Sequence, residues 1–296
     1  FGAGMVVSEM IASEQLSRAD PDALLKTERA GYGPFVIQLA GREARWMAEG
    51  ARIAEARGAD IVDINMGCPA RKVTGGASGS ALMRNLDHAL TLIDAVVGAV
   101  KVPVSLKMRL GWDEASINAP ELARRAEAAG VQMLTVHGRT RCQFFKGHAD
   151  WRRITDVKRA VAIPVITNGD IETLSDIQQA LALSGADAIM IGRGAYGAPW
   201  APGLAANANG QPYDIQAPPP GMADIVEEHF EELRILYGDF LGLRTARKHL
   251  GWYIARVHGQ TPVAQDWRAR LCQSDNADAV RRNIRRCFGD DLRAAA

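Results

Sequence analysis

Along the first two-thirds of the chain, short runs of β-branched and other apolar residues alternate with longer stretches whose apolar residues return every three or four positions. The short runs predict strands at Met5–Met10, Phe35–Leu39, Ile61–Asn65, Val102–Met108, Met133–His137, Ile163–Asn168 and Ala188–Ile191. The longer stretches, such as Arg42–Arg57, Ile117–Ala129 and Leu174–Leu183, predict amphipathic helices, and Gly58, Gly130 and Gly185 stand where such helices stop. One strand and one helix recur roughly every 25–40 residues, the rhythm of parallel α/β proteins.

Six of these strands finish on polar residues: Gln38; Asn65 and then Cys68; Lys107 and Arg109; His137 and Arg139; Asn168 and Asp170; Gly192 and Arg193. In a TIM (β/α)8 barrel the strand ends form one rim that carries the active site, whereas a doubly wound sheet gathers its ligand residues at one switch point. Polar ends spread over so many strands favour the barrel. Seven strands are visible and a barrel needs eight. "FGAGMVVSEM" opens on a fragment ending in glycine and runs at once into a strand, so the first barrel strand is the one expected to be lacking. A sheet short of one strand leaves two unpaired edges, and such a chain expressed alone is expected to aggregate.

Residues 1–202 therefore read as the barrel. Residues 203–221, "GLAANANGQPYDIQAPPPG", read as a linker rich in Pro, Gly and Asn. Residues 222–296 read as a small all-helical domain, with helices at Met222–Tyr237, Leu243–Val257 and Ala277–Cys287 and a turn near Gly259 to Pro262.

Composition adds little until it is read by region. The 296 residues are 47% hydrophobic and 23% charged, and 35 Lys and Arg against 34 Asp and Glu predict no polyanionic partner for the chain as a whole. The helical end is different. Asp224, Glu227, Glu228, Glu231, Glu232 and Asp239 crowd its first helix, and Arg244, Arg247, Lys248, Arg256, Arg268, Arg270, Arg281, Arg282, Arg285, Arg286 and Arg293 follow. No apolar run reaches membrane-span length, since Asp94 and Lys101 interrupt the best candidate, Ala89 to Leu106. Cys68, Cys142, Cys272 and Cys287 are scattered without a CxxC pair, which argues against a zinc site or a disulfide framework and for a reducing cytoplasm.

Each rim residue has an ordinary reading and a chemical one. Gly192, Arg193 and Gly194 after a buried strand suit a phosphate pocket at a helix start, or simply a tight turn. Lys107 and Arg109 lie two apart and so share a strand face, where two cations suit an electron-rich ligand; a solvated strand end is the alternative. His137 is either a satisfied structural histidine or a ligand contact. Cys68 is a buried structural thiol, a nucleophile or a proton donor, and no neighbouring histidine decides between these.

The motifs "VSEM", "QLAG", "DINMGCPARKVTGGASGSALMRN", "LKMRLGWD", "VHGRTR", "NGDI", "IGRGAYGAPW" and "RKHLGWYIARVHG" resemble the tRNA-dihydrouridine synthases of the bacterial B-type branch over nearly the whole chain. The resemblance implies an FMN-binding TIM barrel joined to a helical tRNA-binding domain in a cytoplasmic, monomeric enzyme without metal. Such an enzyme reduces the C5=C6 bond of uridine in tRNA to 5,6-dihydrouridine, with NADPH (or NADH) reducing the flavin. It implies flavin contacts from Gln38, Lys107, His137, Asn168, Gly169, Asp170, Gly192 and Arg193, a catalytic Cys68, and uracil contacts from Asn65 and Arg139. Arg282, Arg285 and Arg286, at helical i, i+3, i+4 spacing, are expected to share one face and meet tRNA phosphates. The family's opening strand, which ends in a Pro-Met contact to the flavin, is not found in this sequence, so weak FMN binding is expected. The chemistry is coherent: hydride delivered to C6 leaves negative charge on C5 and O4, and a thiol, mostly protonated near neutrality at a free pKa of about 8.5, can protonate C5. A flavin barrel acting on a small molecule, resembling dihydroorotate dehydrogenases, and a non-catalytic tRNA-binding module are the two alternatives. The basic tail speaks against the first, Cys68 and Lys107 against the second.

Overall fold

The computed structural model describes residues 1–29, 33–207, 214–215 and 217–289. Residues 208–213 and 216 of the predicted linker, and Arg293 of the basic tail, lie outside them. The chain divides into two compact units, Ala3–Gly192 and a second made of Phe1–Gly2 with residues 193–296.

The first unit is a parallel sheet with helices. Its order is β1 (Val6–Val7), β2 (Ile11–Ala12), α1 (Ser13–Ser17), α2 (Pro21–Leu25), β3 (Phe35–Ala40), α3 (Ala44–Ala56), β4 (Ile61–Met66), α4 (Arg71–Thr74), α5 (Leu86–Val97), β5 (Val104–Arg109), α6 (Ala119–Ala128), β6 (Met133–His137), α7 (Ile154–Ala160), β7 (Val165–Asn168), α8 (Leu174–Ser184) and β8 (Ala188–Met190). Neighbours pair in sequence order, all parallel, from β3 to β8. Both β1 and β2 pair with β3, end to end, so eight short strands make seven staves. Among the described residues the sheet is an open, TIM-like partial barrel, and its stave count is the one read from the sequence.

Of the predicted strand Met5–Met10 only Val6–Val7 is strand, and a second short strand, β2, follows it at Ile11. Between them the Ser8 N–H donates to the Val36 carbonyl at 2.8 Å, but the next rung is taken by the Ser8 side chain, whose Oγ accepts the Gln38 N–H at 3.0 Å. The backbone ladder is interrupted there and resumes at Ile11. The predicted strands at Val102 and Ile163 begin two residues later, after Pro103 and Pro164, because proline has no N–H to donate.

In β4, β5 and β6 the two faces alternate. Ile64 and Met66 of β4, Leu106 and Met108 of β5, and Leu134 and Val136 of β6 are fully buried and join Met47, Ala51 and Ala54 of α3, Leu92, Ile93 and Val96 of α5, and Leu122 and Ala126 of α6 in one core. The polar residues take the other face. Helix α8 is fixed by a capping box between Thr173 and Asp176 and stops at Gly185 in the left-handed conformation.

The second unit is helical: α9 (Ala201–Ala206), α10 (Met222–His258), α11 (Pro262–Cys272) and α12 (Ala277–Phe288). Helix α9 runs into the stretch predicted as linker, since Pro202 is well placed in a first turn. The compact unit also starts at Arg193, earlier than the predicted boundary at 202. A straight α10 would measure about 55 Å at 1.5 Å per residue. Gly238, at φ 76° and ψ 165°, instead folds it into a hairpin, so that His229 Nδ1 meets the Tyr253 hydroxyl at 3.0 Å. This reproduces the two helices predicted on either side of residue 238. Helix α11 is not in the predicted set; Thr261 caps it and Pro262 opens it, and only Ala264 and Leu271 are buried. Val280, Ile284 and Phe288 of α12 and Phe230, Leu250 and Ile254 of α10 are buried together in this unit.

Candidate active site

Strand register brings the predicted rim residues of the first unit together. Gln38 stands beside Asp63, and Asp63 beside Ser105; Asn65 stands beside Lys107; Arg109 stands beside His137, and His137 beside Asn168. Partners in parallel register point to the same side, so these residues form one polar patch over the ends of β3 to β7.

The patch is a connected hydrogen-bond network. Ser105 Oγ donates to Asp63 Oδ1 at 2.6 Å, and Gln38 Nε2 donates to Asp63 Oδ2 at 2.7 Å. Gln38 Oε1 accepts from Asn65 Nδ2 at 2.7 Å, and Asn65 Oδ1 accepts the Gly67 and Cys68 N–H groups at 3.2 and 2.9 Å. Asn65 was expected at the uracil; it holds the start of the cysteine loop. That loop is closed from its other end by Ser80, whose N–H and hydroxyl both donate to the Cys68 carbonyl, at 3.1 and 2.8 Å. Gly79 lets the chain come this close, because a Cβ there would stand 2.9 Å from the Cys68 carbonyl oxygen, and its φ is 59°. Cys68 itself remains partly exposed, and all four cysteines are free thiols.

Lys107 donates to Asn168 Oδ1 at 3.1 Å, and Asn168 Nδ2 donates to the Met190 carbonyl at 2.8 Å, which turns the amide oxygen toward the lysine. Burial pushes the Lys107 ammonium down to about 8; the Asp63 carboxylate opposes the shift and Arg109 adds to it. Burial pushes the Asp63 carboxyl up, opposed by its bonds from Ser105 and Gln38 and by Lys107. Among the described residues Lys107 has no carboxylate hydrogen bond, and Asp63, the carboxylate that attracts it, is bonded to Ser105 and Gln38.

Arg109, read from the sequence as sharing a strand face with Lys107, and Arg139, read as a uracil contact, are both deeply buried. Arg109 is 1% exposed and clamps loops: its Nε donates to the Gly67 carbonyl and its Nη1 to those of Thr140 and Phe144, each at 2.8 Å. Arg139, also 1% exposed, forks onto Asp170, with Nη1 at 2.8 Å from Oδ1 and Nη2 on Oδ2, and donates further to the carbonyls of Lys146 and Gly147. These are the protein partners of the guanidinium that the resemblance assigns to the uracil. Arg139 Nη1 also meets His137 Nε2 at 3.2 Å; since arginine only donates, that imidazole nitrogen accepts and the ring proton sits on Nδ1. The carboxylate of Asp170, a residue the resemblance assigns to the flavin, holds Arg139 and the Ala149 N–H, and its own backbone lies in the left-handed region at φ 54°.

Gly169 is a glycine for packing as much as for any ligand: at φ 111°, a Cβ there would stand 2.7 Å from the His137 ring. Gly192 is different, with nothing within 4 Å of an added Cβ. Arg193 opens the short turn Arg193–Ala195 and belongs to the second unit. Sequence reasoning passed over Asp63 and Ser105. A signal was there: Asp63 lies two residues before Asn65, and Ser105 two before Lys107, on the same strand faces.

In the second unit, Arg282 and Arg286 are exposed on α12, but Arg285 pairs with Asp224 and Glu227 of α10. Arg281 pairs with Glu231 at 2.6 Å and with Asp278 at 2.9 Å. Much of the charge that looked segregated in sequence is therefore closed into an α10–α12 ladder. Among the described residues, no cluster of His, Cys, Asp or Glu is placed to hold a metal ion, and no helix is long and apolar enough to cross a membrane.

The family model for dihydrouridine synthase (Dus) matches residues 1–292. A probable tRNA-dihydrouridine synthase of Rhizobium leguminosarum bv. phaseoli is 56% identical over 257 residues, covering 86% of this chain and 79% of that protein. Another from Rhodobacter capsulatus is 52% identical over 294 residues, covering 98% and 89%. The tRNA-dihydrouridine synthase B of Pseudomonas aeruginosa is 40% identical over 292 residues, covering 98% and 87%. Among solved structures, a histamine dehydrogenase from Rhizobium sp. 4-9 superposes with a TM-score of 0.50 at 13% identity, over 69% of this chain and 41% of that one, a likeness of fold alone.

Proposed function

Since the chain belongs to the dihydrouridine synthase family of oxidoreductases, we propose that it reduces the C5=C6 bond of uridine in tRNA, with FMN as the bound flavin, NADPH or NADH as reductant, and Cys68 as the acid. The observation that carries this reading is the pairing of Asn65 with Lys107 across β4 and β5. It sets a partly buried cation beside the strand end from which the Cys68 loop departs, and the Cys68 amide is tied back to Asn65.

The residues fit a flavin. The polar patch offers amide and cationic donors at Gln38, Lys107 and Asn168, while its one deep carboxylate, Asp63, is occupied by Ser105 and Gln38. Open space beside Gly192 suits a backbone that approaches a phosphate. When bound, the reduced flavin supplies the two electrons and one hydrogen for C6. The protein's own groups do the rest. Lys107, mostly protonated at pH 7 with its pKa at about 8, faces developing negative charge without a competing carboxylate hydrogen bond. Cys68 gives its Sγ proton to C5. Asn65 and Ser80 fix the backbone on both sides of that thiol, so the donor is held before substrate arrives. The target base leaves its stack to reach such a site, at a cost of a few kcal/mol that favours loop nucleotides. Arg282 and Arg286 are the exposed α12 cations suited to tRNA phosphates.

The test is NADPH-dependent dihydrouridine formation in unmodified tRNA. Cys68→Ala should keep FMN and NADPH oxidation while dihydrouridine formation falls by roughly 100-fold or more. Near-normal turnover by this variant would remove Cys68 from the acid role.

A further inference from the structure

Every link between the sheet and the Cys68 amide has a direction, and one residue sets it. We propose that Asp63 is a positioning residue for Cys68, fixing the orientation of the Gln38 and Asn65 amides and through them the backbone that carries the thiol. The relevance of this role to turnover rests on the reading of Cys68 as the acid; the geometry does not.

Asp63 is 4% exposed, and as a carboxylate, with Ser105 donating to Oδ1, it can only accept from Gln38 at Oδ2. Gln38 must therefore turn its NH2 toward Asp63 and its carbonyl toward Asn65. Asn65 must answer with its own NH2, which leaves Oδ1 facing the loop. Only that orientation presents an acceptor to the Gly67 and Cys68 N–H groups. Had either amide flipped, two donors would face each other in a site where Gln38 and Asn65 are each 7% exposed and water cannot substitute freely. The sequence order is thus carboxylate, amide, amide, backbone N–H. The anchor sits on the same strand as Asn65, two residues earlier, so β4 supplies both ends of the relay and β3 its middle.

Asp63→Asn is nearly isosteric but removes the compulsion, because the new amide can donate to Gln38 as well as accept from it, and both amides of the relay are then free to turn over. The compensating variant is Asp63→Asn with Gln38→Glu. There the amide at position 63 donates to the carboxylate at position 38. That carboxylate accepts also from Asn65, and Asn65 again presents its oxygen to the loop. The measurement is amide hydrogen exchange, residue by residue, on the whole chain, with turnover not entering it. In Asp63→Asn the Cys68 and Gly67 amides should exchange roughly tenfold faster while Leu106 of β5 keeps its protection. The double variant should return the loop amides toward the wild-type rate. If Asp63→Asn does not fold but the double variant does, direction is again what matters. Unchanged exchange at Cys68, equal loss at Leu106, or a double variant that neither folds nor recovers protection would each overturn the role. Because exchange ignores chemistry, this result and the Cys68→Ala result can fail separately.

Discussion

Replacing Lys107 by methionine should make the protein more stable at neutral pH while disabling its chemistry. The ammonium is held at about 8 against an ordinary value of 10.5. At about 1.4 kcal/mol per pKa unit, that shift means the folded state carries roughly 3 kcal/mol of strain whenever the lysine is charged. Methionine fills similar volume without charge. It forfeits the bond to Asn168 Oδ1, about 1 kcal/mol, and leaves Asp63 without its neighbouring cation. A net gain of about 1 kcal/mol at pH 7 remains. The sign with pH is fixed. The unfolded lysine keeps its proton up to about 10.5 and the folded one only to about 8, so between these values the unfolded state binds more protons and wild-type stability rises with pH. The variant has no such rise. Urea unfolding of both proteins without cofactor, at about pH 7 and pH 10, cancels the other titrating groups. The difference, variant minus wild type, should fall by roughly 2–3 kcal/mol across that range. Parallel pH profiles would falsify the buried-cation reading, whatever the activity of the variant.

Other outcomes follow from the same geometry. Arg282→Glu with Arg286→Glu should weaken tRNA binding and lower the slope of log affinity against log salt by roughly 2, with flavin content unchanged. Arg281→Glu, which breaks the pair with Glu231, should instead lower the melting temperature in the absence of RNA. Arg139→Ala should cost roughly 2–3 kcal/mol in urea unfolding by removing the fork on Asp170 and the donors to the Lys146 and Gly147 carbonyls, whereas a ligand-facing arginine would leave the stability of the free protein unaltered. Gly169→Ala should destabilise by roughly 2 kcal/mol or more and shift the His137 ring resonances, since both φ and the His137 contact oppose a methyl group.

Much of the sheet was legible because buried parallel strands are apolar runs, and a run that ends in polar residues declares its own C-terminus. Asn65, Lys107, His137 and Asn168 were found in this way, and register brings them together. What an arginine at a strand end will touch is not legible. Arg109 and Arg139 have the same pattern as Lys107, yet their planar forks close on backbone carbonyls and Asp170, and only the folded loops supply those partners. The break between β1 and β2 was hidden because it depends on one hydroxyl, that of Ser8, replacing a backbone group. Helix α11 was hidden because two buried side chains make too faint a periodicity to stand out among charged neighbours. The α10–α12 ion pairs join residues about fifty positions apart, and charge counted along a sequence cannot see them.

The alternation of β4 to β6 makes the site and the core depend on a single parity. Odd-numbered residues of β5, Ser105, Lys107 and Arg109, belong to the polar face, and even-numbered ones, Leu106 and Met108, belong to the packing. One residue inserted within β5 ahead of Lys107 would exchange the two sets downstream, sending a cation into the helices and a methionine into the mouth. The same residue inserted in the exposed turn around Glu114 and Ala115 would change neither. Length is therefore free to drift on one side of each strand end and locked on the other, and new reach toward a substrate can be added only where the strands have already finished.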